Sequence, residues 1–386
     1  MIVRSDIKPA AMATIQYLTQ IEFGRGAIGL LPRTLQDLGI RRPLLVTDAG
    51  LMRAGILDRI LALLPQSAPA VFADTPPNPT ERSVEAATAR FRDGACDGVV
   101  AIGGGSPIDL AKGVALLATH EGPLACYAGT VATPLIGPQA VPLVAIPTTA
   151  GTGSEVGRGA LICLADGRKL VFVSQHLLPK RALCDPDLTL GMPAALTAGT
   201  GMDAFTHCIE TFLSPRFNPP AEAIALDGAA RAWRWIERAV AHPLDSEARG
   251  EMMMAGIQGG LAFQKGLGAV HALSHPLGAL TEPMLHHGTL NAVILPAVLR
   301  FNAGHVGDKY LRLASALGLP PNADLADAVA GLNARIGLPS SLRAMQVPLD
   351  AVARVVEGAL ADHSLPTNPR PLAREDLHAL FLSAYG

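Results

Sequence analysis

Two short patterns in the second half of the chain place polar side chains four residues apart. Asp203 and His207 form one pair, and His271 and His275 form the other. Residues four apart on a helix project from the same face, one turn from each other. A carboxylate and neutral imidazoles together suit Fe(II) or Zn(II), so these pairs and one further histidine could bind a metal ion. An isolated pair of this kind is more often a helix cap or a buried structural contact, and the rest of the chain must decide.

The composition indicates a well-packed globular protein. Of 386 residues, 49% are hydrophobic and only 17% are charged, which excludes disorder on composition. The net charge of −2 comes from 31 basic and 33 acidic residues that are interspersed along the chain. No basic stripe is available for a phosphate backbone, so we expect no nucleic-acid partner. Positive mean hydropathy favours a homo-oligomer, a dimer or larger, that hides part of the surface.

The cysteines and the apolar runs bear on location. The five cysteines are scattered and never form a Cys-x-x-Cys pair, which argues against a disulfide framework and a thiolate zinc site. No run reaches 18 apolar residues, and the start, Met1–Asp6, lacks the basic-then-apolar order of a secretory signal. We therefore expect a cytoplasmic protein that makes no membrane contact.

From residue 44 to 186, short β-rich runs alternate with helical stretches. Strands are predicted at 44–48, 70–74, 98–103, 142–147 and 170–173, with helices near 51–64 and 80–93. Such alternation is typical of βαβ units and a parallel sheet. Beyond residue 187 the pattern is helical, with helices predicted near 194–213, 219–240, 247–263, 266–280 and 288–302. The sequence thus predicts an α/β unit over 1–187 and an all-helical unit over 188–386.

Two glycine-rich stretches compete as the binding site for a cofactor's phosphates. Gly24–Gly29 matches G-x-G-x-x-G formally, but the segment before it is only a weak strand. Gly103–Pro107 follows the strongest strand and opens a helix with proline in its first turn. The second stretch is the better phosphate site, because its glycines allow close approach and Ser106 adds a donor. A plain glycine-rich turn is the structural alternative.

Polar residues follow two other predicted strands. Asp48 could accept hydrogen bonds from ribose hydroxyls and repel a 2′-phosphate, which favours NAD over NADP. It could equally be an ordinary cap of the next helix. Thr148 and Thr149 begin a turn rich in hydroxyls, which could hold a nucleotide or satisfy its own backbone.

Taken together, these segments and the histidines of the second half resemble the iron-containing, group III alcohol dehydrogenases. The resemblance covers nearly the full length and rests on six motifs in the family's order: Gly103–Asp109, Pro147–Glu155, Gly201–Glu210, His271–Gly278, His287-Gly288 and Thr367–Arg370. It implies a Rossmann-like N-terminal domain with a parallel sheet and an all-helical C-terminal domain, the architecture shared with dehydroquinate synthase.

The resemblance also implies roles for individual residues. Asp203, His207, His271 and His287 would bind the metal, Fe(II) or alternatively Zn(II), and His275 would relay protons. Residues implied to hold NAD are Asp48, Asn78, Gly104, Gly105, Ser106, Asp109, Thr148, Thr149 and Lys169. The double His286-His287 departs from the family pattern; His287 keeps the following glycine, and His286 is then a candidate for supporting a ligand.

The resulting prediction is an NAD-dependent, divalent-metal-dependent oxidoreductase. It would interconvert a small primary or secondary alcohol and its aldehyde or ketone, including one that carries a carboxylate. Lys265 and Arg158 are candidate contacts for such a carboxylate, although surface exposure of both would be the simpler interpretation. Two alternatives on the same fold are a lyase resembling 3-dehydroquinate synthase and an enzyme resembling maleylacetate reductase. The scarcity of Lys and Arg on the ligand helices argues against the first, and the four retained ligand candidates argue against the second.

Overall fold

The computed structural model describes residues 15–17, 19–64, 68–280 and 282–386. The segment Met1–Asp6, used above to argue against a secretory signal, lies outside these residues. An α/β unit occupies the N-terminal half, and helices make up the C-terminal half. Within the described residues, no helix is both long enough and apolar enough to cross a membrane.

A six-stranded sheet, parallel throughout, organises the N-terminal half. The described residues of this half form eight strands, six of them in the parallel sheet: β1 (Gln20–Phe23), β2 (Pro43–Val46), β3 (Ala70–Phe72), β4 (Gly98–Gly103), β5 (Leu143–Pro147), β6 (Gly159–Cys163), β7 (Lys169–Val173) and β8 (Arg181–Cys184). The sheet has the order β1-β8-β5-β4-β2-β3, while β6 and β7 pair separately as an antiparallel hairpin. Because the sheet strands are parallel, the turns after β2, β4 and β5 meet at one edge.

Helices cover the sheet and form the C-terminal half. They are α1 (Leu31–Asp37), α2 (Ala49–Arg53), α3 (Ile56–Leu61), α4 (Glu81–Asp93), α5 (Gly105–Leu117), α6 (Ala194–Leu213), α7 (Pro219–Ala241), α8 (Ser246–Ala262), α9 (Ala269–Gly278), α10 (His287–Asn302), α11 (Lys309–Ala316), α12 (Leu325–Arg335), α13 (Val352–Leu360) and α14 (Arg374–Tyr385). A short 3-10 turn, Phe263–Lys265, joins the end of α8 to the approach to α9.

The core follows the two-residue period of the strands. On β4, Val99 and Ala101 face one apolar cluster, and Val100 and Ile102 face the other. Both faces of the sheet are therefore buried, which explains why its central strands are uninterrupted apolar runs. A third and larger apolar cluster occupies the helical half.

Three local expectations need correction. The helix expected over 51–64 is two helices, because Gly55 adopts a left-handed φ of 70° between them. The strand expected at 170–173 exists but belongs to the β6–β7 hairpin, outside the parallel sheet, where Gly167 in the connecting turn has φ of 83°. The weak segment 20–23 is a true strand, although it lies at the sheet edge.

Candidate metal centre and cofactor cleft

Three helices bring the four predicted metal ligands together. Asp203 and His207 lie on α6, His271 lies on α9, and His287 is the first residue of α10. The Nε2 atoms of the three histidines lie 3.6, 3.8 and 3.7 Å, in that order, from one atom, Asp203 Oδ1. Ligand atoms at metal distances of about 2.1 Å in a tetrahedron are separated by about 3.4 Å, so the spacing fits one divalent cation.

The hydrogen bonds around these ligands leave their lone pairs directed at a common point. Asn291 lies one helical turn after His287, and its Nδ2 is 2.8 Å from Asp203 Oδ1 and 3.2–3.3 Å from Nε2 of His271 and His287. One amide with two hydrogens cannot satisfy all these acceptors. The buried Asn291 Oδ1 and His287 Nδ1 have no hydrogen-bond partner among the described residues. A cation is the group that such a set of acceptors fits.

The ionisation of the ligands suits a cation. Burial would raise the pKa of Asp203, but the adjacent imidazoles of His207 and His287 outweigh burial and hold that pKa below its usual value. Burial lowers the pKa of His207 to about 4 and that of His287 well below normal. His207 Nδ1 lies 3.3 Å from the Gly151 carbonyl oxygen, so it can donate there and leave Nε2 as the free ligand atom.

Glu210 orients the third histidine. Its carboxylate accepts from His271 Nδ1 at 2.5 Å and from the Val270 backbone N–H at 2.7 Å. Burial alone would lower the pKa of His271, but Glu210 and Asp203 raise it to about 9. Glu210 therefore holds the ring in the orientation that ligation needs, with Nδ1 on the carboxylate and Nε2 directed at Asp203.

Helices α6 and α10 approach each other at the backbone level. A Cβ added to Gly288 would lie 2.1 Å from the Gly199 carbonyl oxygen. Gly199 is one turn before Asp203, and Gly288 directly follows His287, so this contact sets the distance between two ligands. His286 instead caps α10, because its Nδ1 accepts from the Thr289 backbone N–H.

His275 lies beside the ligands and contacts a second acidic group. Its Nδ1 is 2.8 Å from Asp362 Oδ2, and its ring stacks on His287 with centroids 5.5 Å apart. His363 lies on its other side, with ring centroids 5.6 Å apart. All three histidines line the same cavity, which has a volume of about 310 Å³.

The predicted phosphate loop opens into this cavity. β4 ends at Gly103, whose φ of 153° and contact with Pro107 leave no room for a side chain, and α5 begins two residues later. Gly105 and Ser106 line the cavity, together with Asn78 and Lys169. Lys169 Nζ donates to Asn78 Oδ1 at 2.9 Å, and Ser106 Oγ donates to the Pro77 carbonyl oxygen. Asn78 Nδ2 also donates to the Gly278 carbonyl oxygen at the end of α9, at 3.2 Å, so these contacts join this side of the cavity to a ligand helix.

Other predicted cofactor residues have structural contacts. The Asp48 carboxylate caps α2 by accepting from Gly50 and Leu51 N–H, and Asp48 does not line the cavity. Thr148 is buried with its N–H bonded to Gly103 O, and Thr149 packs beside Gly104. Asp109 does line the cavity, but its carboxylate oxygens accept from Ser154 Oγ and from the Leu161 N–H.

The expected position of Lys265 at the substrate mouth does not agree with the structure. Its side chain is fully buried, and Nζ donates to the carbonyl oxygens of Thr211, Phe212 and Ser214 at the end of α6. The chain turns sharply at Gly266, which directs Lys265 away from the cavity. Arg158, by contrast, is exposed and lines the cavity.

Several residues of this site were not singled out from the sequence. Glu210 and Asn291 stand three and four positions after a ligand histidine, so helical spacing could have identified both. Asp362, His363 and Arg216 reach the site from distant loops and helix ends. No local pattern marks them, and only the tertiary fold brings them to the cavity.

Comparison with known proteins finds matches over both halves of the chain. Residues 19–186 match the family described as Iron-containing alcohol dehydrogenase, and residues 197–385 match the Fe-containing alcohol dehydrogenase family, C-terminal. A 4-hydroxybutyrate dehydrogenase of Cupriavidus necator is 56% identical over 373 residues, covering 95% of this chain and 98% of that protein.

Solved structures are similar over the full architecture. A crystal structure of 1,3-propanediol oxidoreductase superposes with a TM-score of 0.90 at 37% identity, covering 97% of this chain and 100% of that chain. Sulfoacetaldehyde reductase from Bifidobacterium kashiwanohense, in complex with NAD+, gives a TM-score of 0.87 at 29% identity, covering 97% and 98%. Matches across both halves, with high identity over almost the whole length, show that this chain belongs to the iron-containing alcohol dehydrogenase family.

Proposed function

We propose that this protein is an NAD-linked dehydrogenase of 4-hydroxybutyrate, which it interconverts with the corresponding 4-oxo acid. The observation that carries the substrate is the 56% identity to a 4-hydroxybutyrate dehydrogenase across 95% of the chain. In the oxidative direction, C4 of the substrate loses a hydride to the nicotinamide and the C4 hydroxyl loses a proton. The products are the aldehyde, NADH and one proton.

Asp203, His207, His271 and His287 would hold the metal, with iron(II) as the first choice and zinc(II) as the alternative. A divalent cation there supplies Lewis acidity, which favours loss of the hydroxyl proton and polarises the carbonyl in the reverse direction. Glu210 and Asn291 hold the ligands in position through the hydrogen bonds described above. Asp203, His207 and His271 are buried, which limits their contact with bulk water.

His275 would carry the substrate proton away from the site. It lines the cavity next to the ligands, and the Asp362 carboxylate fixes its ring by bonding Nδ1. This contact favours the tautomer that presents an unprotonated Nε2, which can accept a proton. His363 lies next along this path and reaches the protein surface.

Residues 1–187 would form the NAD-binding domain, and residues 188–386 the metal-binding and catalytic domain. NAD phosphates would lie against Gly104, Gly105 and Ser106 at the start of α5, where free N–H groups and the helix dipole favour an anion. Asn78 and Lys169 support this assignment because both line the cavity beside that loop. Asp48, Asp109, Thr148 and Thr149 complete the proposed cofactor set. The enzyme would act as a cytoplasmic homo-oligomer.

The test is reduction of NAD+ by the protein reconstituted with Fe(II) under anaerobic conditions. The expected result is a kcat/KM for 4-hydroxybutyrate at least about tenfold above those for 1-butanol and 1,3-propanediol, with NADP+ a poorer acceptor than NAD+. Protein stripped with a chelator should be inactive and should recover when Fe(II) or Zn(II) is restored. Failure to oxidise 4-hydroxybutyrate while oxidising a neutral alcohol would overturn the proposed substrate.

A further inference from the structure

Two arginines, Arg158 and Arg216, line the cavity that contains the metal-ligand candidates. Arg158 lies just before β6, and Arg216 lies in the connection between α6 and α7. Within the part of the chain that the structure describes, neither guanidinium has a hydrogen-bond or ion-pair partner. Two other arginines of the helical half are paired: Arg231 with Glu251 and Arg312 with Glu222. Both arginines are exposed, and they present positive charge without a carboxylate partner to the cavity.

The 3-10 turn Phe263–Lys265 connects both arginines to the metal centre. The Phe263 ring packs edge-on against ligand His207, with centroids 4.7 Å apart. On one side, a Cβ on Gly157, next to Arg158, would lie 3.4 Å from Phe263 Cδ2. On the other side, Ser214 Oγ donates to the Lys265 carbonyl oxygen at 2.6 Å, two residues before Arg216. Both arginines thus flank a turn that rests directly on a metal ligand.

The backbones beneath the two side chains are held in place. The Arg158 carbonyl oxygen accepts from the Ser174 N–H at 3.1 Å, and buried Lys112 Nζ donates to the carbonyl oxygens of Gly157 and Gly159. The Arg216 N–H donates to Ser214 Oγ at 3.4 Å. Fixed backbones with free guanidinium groups suit the recognition of an anion, because little backbone ordering is needed on binding.

A third cation of the cavity, Lys169, donates from Nζ to Asn78 Oδ1, beside the phosphate loop. Arg158 and Arg216 have no such side-chain partner among the described residues, and both are free to bind the carboxylate of a substrate.

We propose that Arg158 and Arg216 bind the carboxylate of the hydroxy acid and so determine the preference for a charged substrate. The assignment rests on the function proposed above. An extended four-carbon hydroxy acid separates its hydroxyl oxygen from its carboxylate by about 6 Å, roughly the reach past one aromatic ring. Guanidinium groups match carboxylates through paired N–H donors, which a neutral hydroxymethyl group cannot exploit.

The experiment compares 4-hydroxybutyrate with 1,4-butanediol, which carries a hydroxymethyl group in place of the carboxylate. Variants Arg158→Met and Arg216→Met should each lower kcat/KM for the hydroxy acid by about 10- to 100-fold, mainly through KM, as expected for loss of a charge-assisted hydrogen bond. Both should leave kcat/KM for the diol within about twofold. Arg216→Lys should retain part of the preference, because it keeps the charge.

Arg354→Met is the matched control. Arg354 is exposed on α13, does not line the cavity and should leave both substrates unaffected. If the wild-type enzyme oxidises the diol but not the hydroxy acid, the proposed function fails. If the wild type prefers the hydroxy acid and either methionine variant keeps that preference, or loses both substrates equally, the carboxylate subsite is overturned and the proposed function stands.

Discussion

At the scale of single residues, the adjacent histidines at the start of α10 have different surroundings. His287 Nε2 lies 3.7 Å from Asp203 Oδ1 among the other ligand atoms, whereas His286 caps the helix and packs against Gly199. Their side chains have the same chemistry. Position relative to the first helical turn decides which one can reach an ion.

We predict that His287→Ala will lose its metal and that His286→Ala will keep it. Removing one of four ligands should lower affinity by at least about tenfold, because the loss exceeds that of a supporting contact. His286→Ala should instead lower the free energy of unfolding by about 1 kcal/mol through loss of a cap. Metal per chain after dialysis, measured by mass spectrometry beside urea unfolding, checks both. Equal metal loss in the two variants would contradict the assignment.

The spacing of residues along helices predicted most of the metal ligands, but it gave a wrong position for a residue in a turn between helices. Asp203, His207, His271 and His287 are drawn together as expected, since helical periodicity fixes which side chains share a face. Lys265 could not be placed by spacing, because its direction depends on the turn at Gly266, where φ is 89°. Asp362 could not be found either, because this residue, which follows α13, reaches His275 only in the folded chain.

At the scale of elements, the end of α6 depends on a buried cation. Lys265 donates to three carbonyl oxygens there and lies 3.2 Å from Glu222 on α7. The last carbonyl groups of a helix have no partner within the helix and carry partial negative charge. Lys265 therefore joins three elements: the Phe263–Lys265 turn, α6 and α7.

We predict that Lys265→Met will lower the free energy of unfolding by about 3 kcal/mol, because the variant removes a buried cation that pairs with Glu222 and with the carbonyl groups at the end of α6. The preference between charged and neutral substrates should not change. Lys180→Met, at an exposed position, is the control and should change stability by less than about 0.5 kcal/mol. Urea unfolding and the ratio of kcat/KM for 4-hydroxybutyrate and 1,4-butanediol are the measurements. A fall in that ratio would restore Lys265 as a substrate contact.

At the scale of the whole molecule, the segment 151–159 joins the sheet to the helical half. It follows β5, and it packs so closely on α8 that a Cβ added to Gly153 would lie 2.5 Å from the Cα of Gly260. Glu155 in this segment is buried near Lys112 of α5, and burial raises its pKa to about 7 despite the opposing charge of Lys112. Its ionisation therefore affects the stability of the whole fold.

We predict that the free energy of unfolding will fall less between about pH 4.5 and 7 in Glu155→Gln than in the wild type. A raised folded-state pKa gives stability that is fully present below the unfolded value of 4.5 and is lost as the pH rises through about 7. The difference in unfolding free energy between wild type and variant should change by up to about 3 kcal/mol over this range. Urea unfolding at several pH values measures it. The exposed Glu85→Gln is the control, and parallel curves for wild type and Glu155→Gln would contradict the prediction.

The predicted family, fold class and reaction class are confirmed: an NAD-linked, metal-dependent alcohol dehydrogenase with a parallel-sheet half and a helical half. The order of the motifs and the alternation of strands and helices were enough to predict the family and the fold class, because both can be read directly from the sequence. Strand β8 was missed, since Arg181–Cys184 is short and its pairing with the edge strand β1 spans more than 150 residues. The division at residue 187 and the individual cofactor contacts stay predictions.

The close approach of Gly199 and Gly288 has a consequence for how this centre can change during evolution. Its dimensions are set by two main chains in contact, not by the length of the donors that fill it. Exchange of one ligand residue for another would alter which ion is preferred and leave the size of the metal site unchanged. A single methyl group at position 288 would instead push α6 and α10 apart and so separate the ligand residues, although none of those residues would itself have changed.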